Sequence, residues 1–157
     1  MANTAGIAHS FKHQCMRGEH QLGAATITSS GSLTSPTTDT IKAALFLSSA
    51  SRGPTDGTYT TTGECTVAGG YSAGGITVTN ANAPSLDTTT GIWTPSASLV
   101  FSNISPASSV DCVMIYNSTQ GNKNIETCTF TAQTPVAADL TLTMPANTAA
   151  AALLRIA

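Results

Sequence analysis

Gly70-Tyr71-Ser72-Ala73-Gly74 spells the Gly-x-Ser-x-Gly pattern of a nucleophile elbow. An elbow needs a strand before the serine, a helix after it and a histidine base later in the chain. Here Ile76-Thr77-Val78-Thr79 follows with strand alternation, and His9, His13 and His20 all precede Ser72. The pattern therefore reads as a tight glycine-rich connection between strands. The same glycines make no phosphate cradle, because no Gly-Lys-Ser/Thr and no helix start follow them. His9, His13, Cys15, Glu19 and His20 are the densest group able to ligate a metal. On an extended strand at ~3.3 Å per residue, His9 and Cys15 stand too far apart to share one ion. Their spacing also fits no common zinc motif, so they are read as solvated or interface side chains.

The carboxylates are scattered. Asp39, Asp56 and Asp87 lie beside turn residues, where an acid commonly caps its own backbone. Glu64 differs, standing next to a candidate strand and the glycine-rich turn, but no second acid is visibly paired with it for acid–base work. Asn103-Ile104-Ser105 and Asn117-Ser118-Thr119 are formal glycosylation sequons that here mark surface turns. Trp93, the single indole, sits between Gly91 and Pro95 and is expected at the core or its rim. No catalytic, cofactor-binding or metal-binding residue is assigned, and no enzyme is expected.

Composition narrows the classes further. The 157 residues are only 9% charged, with a net charge of -2, against about 25% charged in ordinary soluble chains. Thr (27), Ser (17) and Ala (23) together dominate the sequence. Six basic residues give too small an electrostatic footprint for nucleic acid. A 41% hydrophobic content argues against charge-driven disorder. No apolar run approaches the roughly 18 residues of a membrane helix, and Met1–Ser10 carries no basic-then-apolar signal pattern. The four cysteines form no Cys-x-x-Cys pair and are expected as free, mostly buried thiols. Cys112 and Cys128 flank a Gly/Asn turn and could lie on adjacent strands, which leaves their pairing open.

The elements that must position these residues are short and β-like. Strands are expected at Phe11–Met16, Thr40–Leu47, Gly75–Asn80, Ser98–Asn103, Val110–Tyr116, Ile125–Ala132, Asp139–Met144 and Ala152–Ile156. Val110–Tyr116 is almost continuously apolar, as a strand buried on both faces should be. Gly, Pro and Asn clusters separate them, for reasons of backbone geometry. The alanine run Asn147–Leu154 reads as a short turn or helix leading into a terminal strand, and Ala24–Thr38 as a long Ser/Thr loop. Together they predict one domain, residues 1–157. Its expected fold is an all-β antiparallel sandwich, jelly-roll-like, with about eight short strands and residues 1–10 as an extended arm.

Three segments in this order, Asp39-Thr40-Ile41-Lys42-Ala43-Ala44-Leu45-Phe46, Tyr59-Thr60-Thr61-Thr62-Gly63-Glu64 and Gly70-Tyr71-Ser72-Ala73-Gly74-Gly75, carry a resemblance. With Met114-Ile115-Tyr116-Asn117 and the terminal Leu153-Leu154-Arg155-Ile156-Ala157, the chain from Phe11 onward resembles small virion structural proteins of tailed bacteriophages. The resemblance implies a compact β-sandwich that decorates and cements an icosahedral capsid by bridging major capsid protein subunits. It implies location on the capsid exterior and no catalytic residues. A homotrimer suits local threefold axes of such a shell. Short Ser, Thr and Ala side chains lose little entropy on ordering, and low charge makes contacts less salt-sensitive, which suits that role. The expected contacts are the arm Met1–Ser10, the loop Ala24–Thr38 and the glycine-rich turn. The other reading is a fibre or tail module that binds a host glycan, with Trp93, Tyr59, Tyr71 and Tyr116 as stacking candidates.

Overall fold

The computed structural model describes residues 2–23, 38–66, 68–80 and 82–157. It is mostly strand, with one short helix. The chain opens with β1 (Gly6–Ile7) and α1 (His9–Met16), followed by β2 (Ile41–Leu47) and β3 (Ile76–Thr77). A hairpin of β4 (Ser85–Asp87) and β5 (Thr90–Trp93) precedes β6 (Leu99–Ile104), β7 (Val110–Asn117), β8 (Lys123–Gln133), β9 (Ala138–Leu142) and β10 (Leu154–Ile156). Every pairing is antiparallel. A five-stranded sheet runs β1-β8-β7-β2-β3, a three-stranded sheet β10-β5-β4, and β6 pairs with β9.

The apolar runs explain this layering. In β7, Val113 and Ile115 enter the main core, whereas Cys112, Met114 and Tyr116 form a smaller cluster on the opposite face with Ala44 and Phe46 of β2. That second face is covered by Ala50 and Tyr59, and the Arg52 guanidinium lies 5.2 Å from the Phe46 ring centre. Both faces are thus removed from water, and period-two alternation gives way to continuous hydrophobicity. The main core joins all three sheets: Leu45 and Ile125 from the large sheet, Trp93 and Leu154 from the three-stranded one, Leu99, Phe101 and Leu140 from β6–β9. The result is an all-β, sandwich-like arrangement.

Three expectations change. Phe11–Met16 lies in a helix, not a strand. Its buried residues, Phe11 and Gln14, are spaced i, i+3, and Cys15 packs at i+4. In so short a window, alternation and helical spacing select overlapping residues. An eight-residue helix is not self-sustaining. Here Ala8 N–H donates to Ile125 O at 2.9 Å and His9 N–H to Pro54 O at 2.8 Å, which fixes its start. The second change concerns the arm. Residues 2–10 are built into the fold: Gly6 and Ile7 pair with Thr127 and Glu126, and Ala8 is fully buried. Asn3 donates to Asp111 Oδ1 at 2.6 Å and to Leu47 O at 2.9 Å. Third, the β4–β5 hairpin was not anticipated. Its two-residue turn places Thr88 at φ 58°, a conformation that β-branched residues seldom adopt and that turn signals assign to Gly or Asn.

The alanine run forms a turn and then β10, within the expected alternatives. Positions 24–37 of the expected Ser/Thr loop lie outside the described residues. Cys112 and Cys128 do sit on adjacent strands, but Cys128 stands opposite Val113 in the register. It packs on the main core while Cys112 faces the smaller cluster. Side chains on opposite faces of a sheet cannot bridge, and all four cysteines are free thiols.

Candidate functional site

The glycine-rich turn is an anchor for a buried carboxylate, not an elbow. After Ser72, which is exposed, the chain enters β3 directly. Glu64 Oε1 accepts from Tyr71 Oη at 2.7 Å and from Gly74 N–H at 2.7 Å, and Oε2 accepts from Tyr59 Oη at 2.6 Å. Tyr116 Oη donates to Gly74 O at 2.8 Å, and its ring stacks on Tyr59 at 4.4 Å. Tyr71 Oη also accepts from Leu45 N–H at 3.0 Å. All three tyrosines of the chain therefore converge on one acid and the loop it holds. Burial raises all three phenols, followed by the hydrogen bond to Glu64 for Tyr59 and Tyr71 and by the Glu64 charge for Tyr116, which is pushed up to about 12. They remain donors. Gly75 lets the loop lie against β2, since a Cβ there would stand 1.8 Å from Ala43 O.

This arrangement also consumes the rings proposed for sugar stacking. Tyr71 is 3% exposed, Tyr116 2% and Trp93 1%, and Tyr59 is held between Tyr116 and Glu64. Stacking on a glycan needs an open aromatic face; Trp93, Tyr71 and Tyr116 are buried, and half-buried Tyr59 has one face covered by Tyr116.

The metal-competent group is dispersed or already partnered. His9 and His13 are exposed one helical turn apart on α1. His20 packs against Phe11, its Nε2 lies 2.9 Å from Gln14 Oε1, and its Nδ1 accepts from Asn117 Nδ2 at 3.1 Å. Burial first, then the Lys123 charge, lowers its pKa, so the ring is neutral near pH 7. Glu19 is ion-paired with Arg17 and Lys123, and its hydrogen bond with Lys123 leads the lowering of its pKa. Among the described residues, no three of His, Cys, Asp and Glu converge as a metal site would require. Burial pushes Cys15 and Cys65 up to about 11 and Cys112 to about 12, leaving thiols and not nucleophilic thiolates.

What the sequence did not reveal is a groove between α1 and the β5–β10 ribbon. It encloses about 590 Å³ and is lined by Phe11, Cys15 and Met16 from the helix, with Ile92, Trp93, Leu154 and Ile156 opposite. Met16 is 84% exposed and Ile156 61%. The buried Trp93 indole N–H has no hydrogen-bond partner among the described residues. Beside it a second cavity, about 380 Å³, has Glu126 in its wall, with Ile7 and Arg155 shared between the two. One carboxylate oxygen of Glu126 is sealed without a partner among the described residues, and burial pushes the group up to about 8 against the lowering effect of Arg155. The groove depends on α1 being a helix, so a strand reading of Phe11–Met16 could not have found it. Compared with known protein families, curated proteins and solved structures, the chain matches none of them.

Proposed function

We propose that this chain is a phage virion structural protein that decorates the capsid exterior and stabilises the shell by bridging major capsid protein subunits. The observation that carries the reading is the groove. A protein with 9% charged residues presents an open apolar channel whose rim residues, Met16 and Ile156, are left largely in water. We read that exposed apolar surface as a docking site. The residues best suited to chemistry, Glu64 and the tyrosines, are instead spent on holding the glycine-rich turn. The sequence resemblance to small virion proteins points the same way. The proposal assigns no catalytic residue, cofactor, nucleic acid or membrane partner, and its assembly is a homotrimer. With Trp93, Tyr71 and Tyr116 buried, no observation favours the glycan-binding alternative.

The test is reconstitution. Purified chain is added to undecorated shells, bound copies are counted by gel densitometry, and the shells are challenged with heat and osmotic shock. Saturable binding of many copies, with delayed shell opening, is expected. Shells that bind the chain at tail or fibre stoichiometry, or that open as readily with it as without it, overturn the reading.

A further inference from the structure

We propose that the groove between α1 and β10 seats an extended, apolar and acidic segment of the shell protein, laid alongside β10. This rests on the capsid reading and names the partner chemistry of its docking site.

Charge comes first. The lining includes Lys12 and Arg155 but no Asp or Glu, in a chain whose net charge is -2. Three of the six basic side chains, Arg17, Arg52 and Lys123, are paired with carboxylates. Lys12 and Arg155 are exposed at the groove and form no such ion pair among the described residues. Arg155 donates to the Ala150 carbonyl, which orients its side chain. Glu126, in the adjoining cavity, is kept protonated at neutral pH by burial and does not neutralise it. His20 is neutral and Cys15 is a thiol. The groove is therefore a cationic-edged channel with an apolar floor, complementary to a segment that mixes aliphatic and acidic side chains.

Backbone comes second. Among the described residues, β10 is the last strand of its sheet, with no strand on its outer side. Free strand edges accept extended peptides through main-chain hydrogen bonds, while flanking pockets select side chains. A volume of about 590 Å³ falls within the ~300–1,000 Å³ typical of sites that enclose a ligand.

Trp93 is the only tryptophan, so its emission reports occupancy directly. The full chain is titrated with a synthetic (Val-Asp)₆ peptide, with (Val-Lys)₆, and with dodecanoate. Undecorated shells are tested in parallel with wild type and with Lys12→Glu/Arg155→Glu, both substitutions being at exposed positions and checked by circular dichroism and Tm. The proposal expects saturable change with (Val-Asp)₆, none with (Val-Lys)₆, and at least tenfold weaker binding of both peptide and shells by the double variant. If the folded variant binds shells as wild type does, the groove proposal is wrong while the capsid reading stands. If wild type ignores shells but binds (Val-Asp)₆, the capsid reading fails and the peptide site survives. Dodecanoate binding without peptide binding overturns the proposal in favour of an amphiphile site.

Discussion

Replacing Glu126 by glutamine should make the protein more stable at neutral pH and flatten its pH dependence. Glu126 stands opposite Ile7 at the β1–β8 junction, in the wall of the smaller cavity. Burial raises its pKa from an ordinary 4.5 to about 8, with Arg155 the one charge working in the other direction. The folded carboxyl therefore keeps its proton where the unfolded chain has already released it. Stability is full below about pH 4.5, falls as pH rises, and levels off above about 8. Each unit in that window is worth about 1.4 kcal/mol, so wild type loses at most about 3 kcal/mol by pH 7. In a chain this long that corresponds to roughly 6–12 °C in Tm. Thermal melts of both proteins from pH 4.5 to 8.5 measure it directly. The expected result is near-equal Tm at pH 4.5 and a gap opening in favour of Glu126→Gln as pH rises. Parallel curves across the whole range would refute the reasoning, because they would mean that Glu126 titrates alike in the folded and unfolded chain.

Other outcomes follow from single contacts. Gly75→Ala would bring a Cβ to 1.8 Å from Ala43 O at φ +66°, whereas Gly121→Ala meets open space at φ +71°. Urea melts should show the second variant losing about 1–2 kcal/mol, the usual left-handed penalty, and the first losing clearly more or failing to fold. Glu64→Ala strips the acceptor from three donors, including the buried Tyr71 hydroxyl, and should cost about 3 kcal/mol or more in urea melts with a loss of near-UV tyrosine dichroism. A Glu64→Ala protein as stable as wild type would remove the tyrosine cluster from the account of the fold. Thiol titration of the native chain should be slow for all four cysteines, and mild oxidation should yield no Cys112–Cys128 disulfide by mass spectrometry, since the two face opposite sides of the sheet.

The large sheet was readable because its residues are extreme. Val110–Tyr116 is apolar at every position but Asp111, as a strand buried on both faces should be, and Thr40–Leu47 alternates two largely apolar faces; they appear as the adjacent β7 and β2. Phe11–Met16 was misread because six residues sample barely two helical turns, and its conformation is set by Ile125 and Pro54, far along the chain. The β4–β5 hairpin was invisible for a different reason. Thr88 occupies a backbone state that its own side chain disfavours, so no local preference announces it. Glu64 stood out as an acid beside a turn, and Tyr59 and Tyr71, five and seven residues away, reach it locally, but Tyr116 comes to Gly74 of the same loop from a strand more than forty residues on.

By itself, the sequence determined that this is an ion-poor, Thr/Ser/Ala-rich chain of short antiparallel strands with a continuous core. Local backbone preference and hydrophobic pattern suffice for that. Only the tertiary structure decided which side chains are spent and which are left free. It brought Tyr116 from β7 onto the loop that Glu64 holds, separated Cys112 from Cys128 by the thickness of a sheet, and folded a would-be strand into the helix that walls the groove. Those are consequences of long-range packing, where the partner of each residue is chosen by the whole fold and not by its neighbours in sequence.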